Sequence, residues 1–411
     1  MGNPNGAAEP MITTEALYRS PNSLAAHYRR FRVGERLLLT GHSHQAWPDC
    51  GLEGQQQAWL DAAEYLDRKW ERAFAKAEAV RRGFARLLDD PDGHIALGSS
   101  THEMTIRFLS ALPLAKRRRI VTTDGEFHSL RRQLDRMGEE GLELVKVVNR
   151  PASQVAERLS AAVDERTAAV IVSAVFYQTG HIVPNLGNVL EACRRVGADL
   201  LIDAYHALNV VPFSLRQERL DDAFVTGGGY KYCQLGEGNA FLRFPKNCRM
   251  RPLVTGWFSE FDALGAAGGD GTVVYGKGHA RFAGSTYDPT SHYRAAEVFD
   301  FFKDQGLSPE FLRKISQHQI GLLADCFDRL DADPNVITRD RSIPLSAIGG
   351  FLVLRSPLAA EICRLLDERG VRTDYRDDAL RLGPAPYLSD DQLKEAIQLL
   401  GKVLDCVRVP G

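Results

Sequence analysis

Several short apolar runs rich in β-branched residues alternate with longer amphipathic segments in this chain, and that alternation is the signature of a parallel sheet with crossover helices. "HIALGSS" (His94 to Ser100) reads as a strand running into a small-residue turn, and "THEMTIRFLSAL" after it has helical apolar spacing. "RIVTTD" (Arg119 to Asp124), "LELVKVV" (Leu142 to Val148), "AAVIVSAVF" (Ala168 to Phe176) and "ADLLIDAYH" (Ala198 to His206) continue the series, and "AFVTGG" and "NAFLRF" add two strands. Between the fourth and fifth runs, "NVLEACRRVG" is a helix with basic residues in its last turn and a glycine to stop it.

From about Leu307 the pattern changes to long helical stretches around two short strands, "GGFLVLR" and "ALRLGPA". The reading is a smaller α+β domain over 301–411, joined by the N-terminal segment 1–88, with a large α/β domain over 89–300. The first ten or so residues are expected to be disordered. No repeat or low-complexity tract interrupts the chain.

With 411 residues the chain is long enough to bury a cofactor-sized site. A formal net charge of −2 leaves no excess of positive charge, which argues against nucleic acid or an anionic membrane surface as partner. The seven cysteines are scattered without a CxxC pair, which points away from a disulfide framework and from structural zinc and fits a reducing compartment. The start of the chain shows no basic segment followed by an apolar run, and no stretch approaches roughly 18 apolar residues, so the cytoplasm is the expected location.

In open α/β sheets ligands bind beyond the carboxyl ends of the strands. The polar residues expected there are Ser99, Ser100 and Thr101; Asp124 to His128; Gln178 and Thr179; Asp203 and His206; and the glycine-rich loop "GGGYKYCQLGEG" around Lys231. Glycine and hydroxyl residues at a strand-to-helix turn suit a phosphate. Asp203 ends a wholly apolar strand, so its carboxylate needs a cationic or N–H partner. A desolvated lysine in a glycine-rich turn becomes an amine nucleophile. Together these are the requirements of pyridoxal phosphate. Singly, each has a plainer reading: "GSST" as a helix cap, Asp203 as the start of a helix, Lys231 as a solvated side chain, Cys233 as a small buried hydrophobe. His42 and His44 in "TGHSHQ" lack an acidic third ligand, so no metal is expected.

The arrangement resembles the fold-type I pyridoxal phosphate enzymes of the class V branch, and within it kynureninase, from about Leu37 to the C-terminus. "DAYH" and "GYKY" are similar to blocks of that family. The resemblance implies that Lys231 carries the cofactor as a Schiff base, Asp203 pairs with its ring nitrogen, His206 lies beside it, Tyr230 bonds its phosphate, Phe127 stacks on its ring, and Thr101 with Ser100 binds the phosphate. "TGWFSEF" resembles a family loop that would bring Trp257 to the phosphate across a dimer interface, so a homodimer with a site between subunits is implied. "ALRLGPAPY" resembles the stretch whose arginine, here Arg381, clamps the substrate carboxylate, and "FYQTGHIVPN" is similar to a block near the site.

Three departures lie on the substrate side. "GHSHQ" replaces a family turn and puts His42 and Ser43 at the substrate, "DRKWERAFAKAEAVRRGF" lacks the family's histidine and Pro-Trp pair, and Ser285 and Thr286 stand where an asparagine is expected, with Thr286 counted among the cofactor-binding positions. The implied activity is kynureninase-type cleavage of the Cβ–Cγ bond of kynurenine or a related γ-keto amino acid to give L-alanine. The alternatives are a class V aminotransferase, or another lyase, epimerase or decarboxylase with the same cofactor. A cysteine desulfurase is disfavoured because "NVITRDRSIPLSAIGG" holds no cysteine, and a non-catalytic binding protein is disfavoured because Lys231 and Asp203 are both present.

Overall fold

The computed structural model describes residues 12–91, 93–266 and 271–407, so the expected disorder of the first ten residues lies outside it. In chain order the strands are β1 (Leu37–Leu38), β2 (His94–Gly98), β3 (Arg119–Thr123), β4 (Glu143–Val147), β5 (Thr167–Ser173), β6 (Asp199–Asp203), β7 (Phe224–Gly228), β8 (Ala240–Phe244), β9 (Leu352–Arg355), β10 (Val371–Arg372), β11 (Asp374–Arg376) and β12 (Ala379–Leu382). Strands β2 to β8 form one sheet in the order β2-β8-β7-β6-β5-β3-β4. Only β8 runs against its neighbours. The expected α/β class with a mostly parallel large sheet is what the chain adopts.

All seven residues of β5 are buried without alternation, which a strand sustains only where helices cover both faces of the sheet. Each buried valine or isoleucine there contributes about 1.5–3 kcal/mol. The helix Leu186–Val196 covers part of one face through Leu186, Val189, Leu190 and Cys193, spaced as an apolar stripe. It stops at Gly197, whose φ of 68° is the left-handed conformation that glycine adopts without strain.

The C-terminal part holds a three-stranded antiparallel sheet, β11-β12-β9, flanked by the helices Pro309–Asp328, Ala359–Glu368 and Asp390–Leu404. Strand β1 pairs with β10 in parallel, and Thr40 bridges to Gly383, so the segment before the large sheet is stitched to the C-terminal part. These pairings carry the "GHSHQ" turn to the end of β12. The carboxyl ends of β3, β5, β6 and β7 open towards the same region.

Candidate active site

Lys231 follows β7 and is buried, with 7% of its surface exposed. Its Nζ lies 2.7 Å from His206 Nε2. Three aromatic faces surround the nitrogen: Tyr205 at 4.8 Å, Phe127 at 5.5 Å and Tyr230 at 5.8 Å from the ring centroids. The glycines before Lys231 allow this packing, since a Cβ at Gly228 would strike the Tyr205 ring and one at Gly229 would strike Leu235. Burial lowers the Lys231 pKa to about 7 against the opposing charge of Asp203. Near neutral pH a large share of this amine is therefore uncharged.

His206 is buried, and burial with the Lys231 charge holds its pKa well below the ordinary value. With Nε2 accepting from Lys231, the ring proton sits on Nδ1, which has no hydrogen-bond partner among the described residues. Asp203 ends β6, and one of its oxygens accepts the Tyr205 N–H at 2.8 Å. Burial raises its pKa, while the Tyr205 N–H and Lys231 act in the other direction.

Asp203 also lines a small cavity with Thr101, Phe127 and Thr226, so the structure brings three of the expected cofactor-side residues onto one wall. Ser100 caps the helix Thr101–Ala111 by accepting the Glu103 N–H at 3.2 Å, which is the plainer reading of "GSST". The Ser99 N–H and hydroxyl both donate to the Glu103 carboxylate at 2.8 Å, so an anionic group already occupies donors of this turn.

On the other side, Arg381 of β12 is buried and bound by Asp374 of β11, its cross-strand partner, through Nε at 2.8 Å and Nη2 at 2.5 Å. Its Nη1 donates to the Tyr177 carbonyl at 2.7 Å. His42 Nε2 lies 2.7 Å from the same Asp374. Burial raises the Asp374 pKa, but the His42 and Arg381 interactions outweigh it and hold this carboxyl well below its usual range. Burial lowers the His42 pKa to about 4, so the ring is neutral and its Nε2–H donates to Asp374.

Not every expected residue joins this group. Trp257 donates from Nε1 to Thr286 Oγ1 at 3.3 Å and packs on Phe258 and Phe261, and within the described residues no hydrogen bond or ring contact links that pair to Lys231, Asp203 or His206. Thr286, Ser285 and Ser99 line a separate cavity of about 1060 Å³. Ser43 bonds His44, whose ring stacks on Tyr230 at 4.8 Å. Thr179 accepts a hydrogen bond from the His181 N–H.

Several residues of the site were not singled out from the sequence. Asp374 stands opposite Arg381 only because of the hairpin register, and Tyr177 enters through its carbonyl. Glu126, inside the segment Asp124 to His128 but given no role of its own there, is buried and accepts from the Thr123 and Ser173 hydroxyls at 2.6 Å each. Ser173 is the register partner of Asp203, and burial first, then the Asp203 charge, raises the Glu126 pKa to about 7 despite those hydrogen bonds. An acid two residues beyond Asp124, between a threonine-rich strand end and an aromatic, was the available signal.

No family model matches the chain. Among curated proteins, it is 26% identical to a kynureninase of Pseudomonas fluorescens over 93% of both chains, and 26% identical to a kynureninase of Bacillus cereus over 94% of this chain and 88% of that one. An uncharacterized aminotransferase of Bacillus subtilis is 23% identical over 83% of this chain and 87% of its own. Among solved structures, a C-DES mutant with glycine covalently linked to its pyridoxal phosphate cofactor superposes with a TM-score of 0.78 at 15% identity, over 92% of this chain and 98% of that one. The apo cysteine desulfurase of Thermococcus onnurineus gives 0.78 at 14% identity, over 95% and 99%. The chain therefore has the fold of the fold-type I pyridoxal phosphate-dependent enzymes and is similar in sequence to kynureninases along nearly its whole length.

Proposed function

We propose that this protein is a class V pyridoxal phosphate-dependent enzyme that hydrolyses the Cβ–Cγ bond of kynurenine or a related γ-keto α-amino acid and releases L-alanine. The observation that carries the reading is Lys231: a buried amine with a strongly lowered pKa, 2.7 Å from His206, ringed by aromatic faces and electrostatically coupled to Asp203. The residues fit the cofactor. The Nδ1 of buried His206, which has no partner among the described residues, and the Asp203 carboxylate are polar groups that a polar ring would satisfy.

In this reading Lys231 would attach the cofactor, Asp203 would face its ring nitrogen, Phe127 would cover its ring and Thr101 with Ser100 would receive its phosphate. Trp257 and Thr286 would serve the phosphate of a second copy, in a homodimer. The bound cofactor supplies an electron sink for the pair released at the substrate α-carbon. Lys231 would be the base for the substrate α-proton, because its pKa near 7 lets it accept and return a proton at neutral pH. Asp203 would supply the carboxylate that a protonated ring nitrogen needs as its partner. Arg381 binds the substrate carboxylate with its planar fork, and His42 and Ser43 border the substrate side.

A class V aminotransferase is the second reading, supported by the Bacillus subtilis relative and by the departures of the "GHSHQ" turn from the kynureninase pattern. One experiment separates them. The protein is loaded with pyridoxal phosphate, mixed with L-kynurenine and 3-hydroxykynurenine, and assayed for alanine with the aryl acid and, with an added keto acid, for amino-group transfer. Release of alanine and the aryl acid is expected, and Lys231→Ala should lose both the visible absorbance of the lysine-bound cofactor and more than about 10³-fold of the rate. Amino-group transfer without alanine release would establish the second reading instead.

A further inference from the structure

The guanidinium of Arg381 is already held from one edge. Of its five N–H donors, Nε and Nη2 are given to the two oxygens of Asp374, and Nη1 is given to the Tyr177 carbonyl. Among the described residues nothing takes the other two N–H groups, one on each terminal nitrogen. Asp374 is itself fixed from behind, since Oδ1 also accepts the His42 Nε2–H at 2.7 Å. His42 is fully buried and packs on Phe351 at 4.7 Å between ring centroids. Gly383 lies against it so closely that a Cβ there would come within 2.2 Å of His42 Nδ1. The chain of contacts therefore runs from a packed histidine through a carboxylate to the arginine, with each link made by side chains of different elements.

We propose that Asp374 is a positioning residue, anchored by His42, that fixes the plane of Arg381 so that its two remaining N–H groups receive the carboxylate of the amino-acid substrate. The proposal rests on the reading of Arg381 as the carboxylate clamp. A free arginine loses much rotamer freedom on binding a ligand, whereas one already held by three hydrogen bonds has lost it beforehand. The partner carboxylate also makes burial of the guanidinium tolerable before substrate arrives. A gate that yields its place to substrate would instead be held loosely, and Asp374 is bound on both sides.

The test uses the protein loaded with pyridoxal phosphate and two probes: L-alanine, and ethylamine, which is the same amine without the carboxylate. Binding is measured by titration calorimetry and by the shift of the visible band. In Asp374→Asn and Asp374→Ala the Kd for L-alanine is expected to rise about tenfold, with the Kd for ethylamine unchanged. The unchanged ethylamine affinity and the melting temperature show that the site is otherwise intact. Unchanged or tighter L-alanine binding overturns the proposal and makes Asp374 a bystander or a competitor for Arg381. Equal weakening of both probes also overturns it, because the effect is then general. Arg381→Lys separates the underlying reading: if it leaves the preference for L-alanine over ethylamine intact, Arg381 is not the clamp at all.

Discussion

Two carboxyl groups, Glu126 and Asp203, lie near each other at the carboxyl end of the sheet, and the charge of Asp203 adds to burial in raising the proton affinity of Glu126. For Glu126 the consequence is a stability that depends on pH. Its pKa in the folded protein is about 7, above the ordinary 4.5, so folding favours the protonated form. The folded state is therefore unpenalised below pH of about 4.5 and loses stability as pH rises from there through about 7. In the cofactor-free protein, Glu126→Gln should remove this dependence, since the amide cannot ionise. Urea unfolding at pH 5 and pH 8 is expected to show the variant gaining on the wild type by about 3 kcal/mol between the two. A difference between the proteins that stays constant with pH would mean that Glu126 is ionised throughout or already titrates as in the unfolded chain.

At the scale of elements, the hairpin β11–β12 and the "GHSHQ" turn meet with little tolerance. Backbone and ring atoms of His42 stand 2.7 and 2.2 Å from where a Cβ at Gly383 would sit, and neither is the end of a flexible side chain. Gly383→Ala should thus lower stability by about 1–3 kcal/mol through forced displacement of the turn. Gly138→Ala, in the helix His128–Glu139 with open space around it, should instead be neutral or stabilising by up to about 1 kcal/mol. Urea unfolding of the pair checks the contrast, and equal effects would show that the turn adjusts freely. The same hairpin marks the limit of what was legible beforehand. The long apolar run of β5 announces itself because seven buried residues leave no other period, and Lys231 stands out because a lysine among glycines and tyrosines suits no regular surface. Strands β1 and β10 have two residues each and no period to detect, and the pairing of Asp374 with Arg381 exists only once the register does. Arg381 itself was singled out through family resemblance, and nothing local in "ALRLGPAPY" reveals the carboxylate opposite it.

On the scale of the whole molecule, the described residues on either side of 262–270 expose several large apolar side chains. Leu253 is 86% exposed, and Val254, Trp257, Phe261, Val273 and Val274 are all exposed as well. The rings of Trp257, Phe258 and Phe261 touch one another, and Arg251 bonds the Val273 carbonyl, which holds Val273 close to the backbone just before Leu253. Contiguous apolar surface of this kind marks an interaction face. Beside it, the cavity of about 1060 Å³ carries Ser99, Arg107, Thr286 and Arg294, polar groups on a wall that the Lys231 cluster of the same chain does not share. A second copy seated on the patch would bring its own polar and aromatic groups to that cavity, which is how Trp257 and Thr286 would act without reaching the lysine of their own chain. Sedimentation velocity at micromolar concentration is expected to show a dimer, and Leu253→Asp with Phe261→Asp should shift it to monomer. If the partner completes the site, the monomeric variant will also release pyridoxal phosphate faster, measured as decay of the visible band on dilution. A wild-type protein that sediments as a monomer while holding its cofactor would leave the patch without this role and confine the active site to one chain.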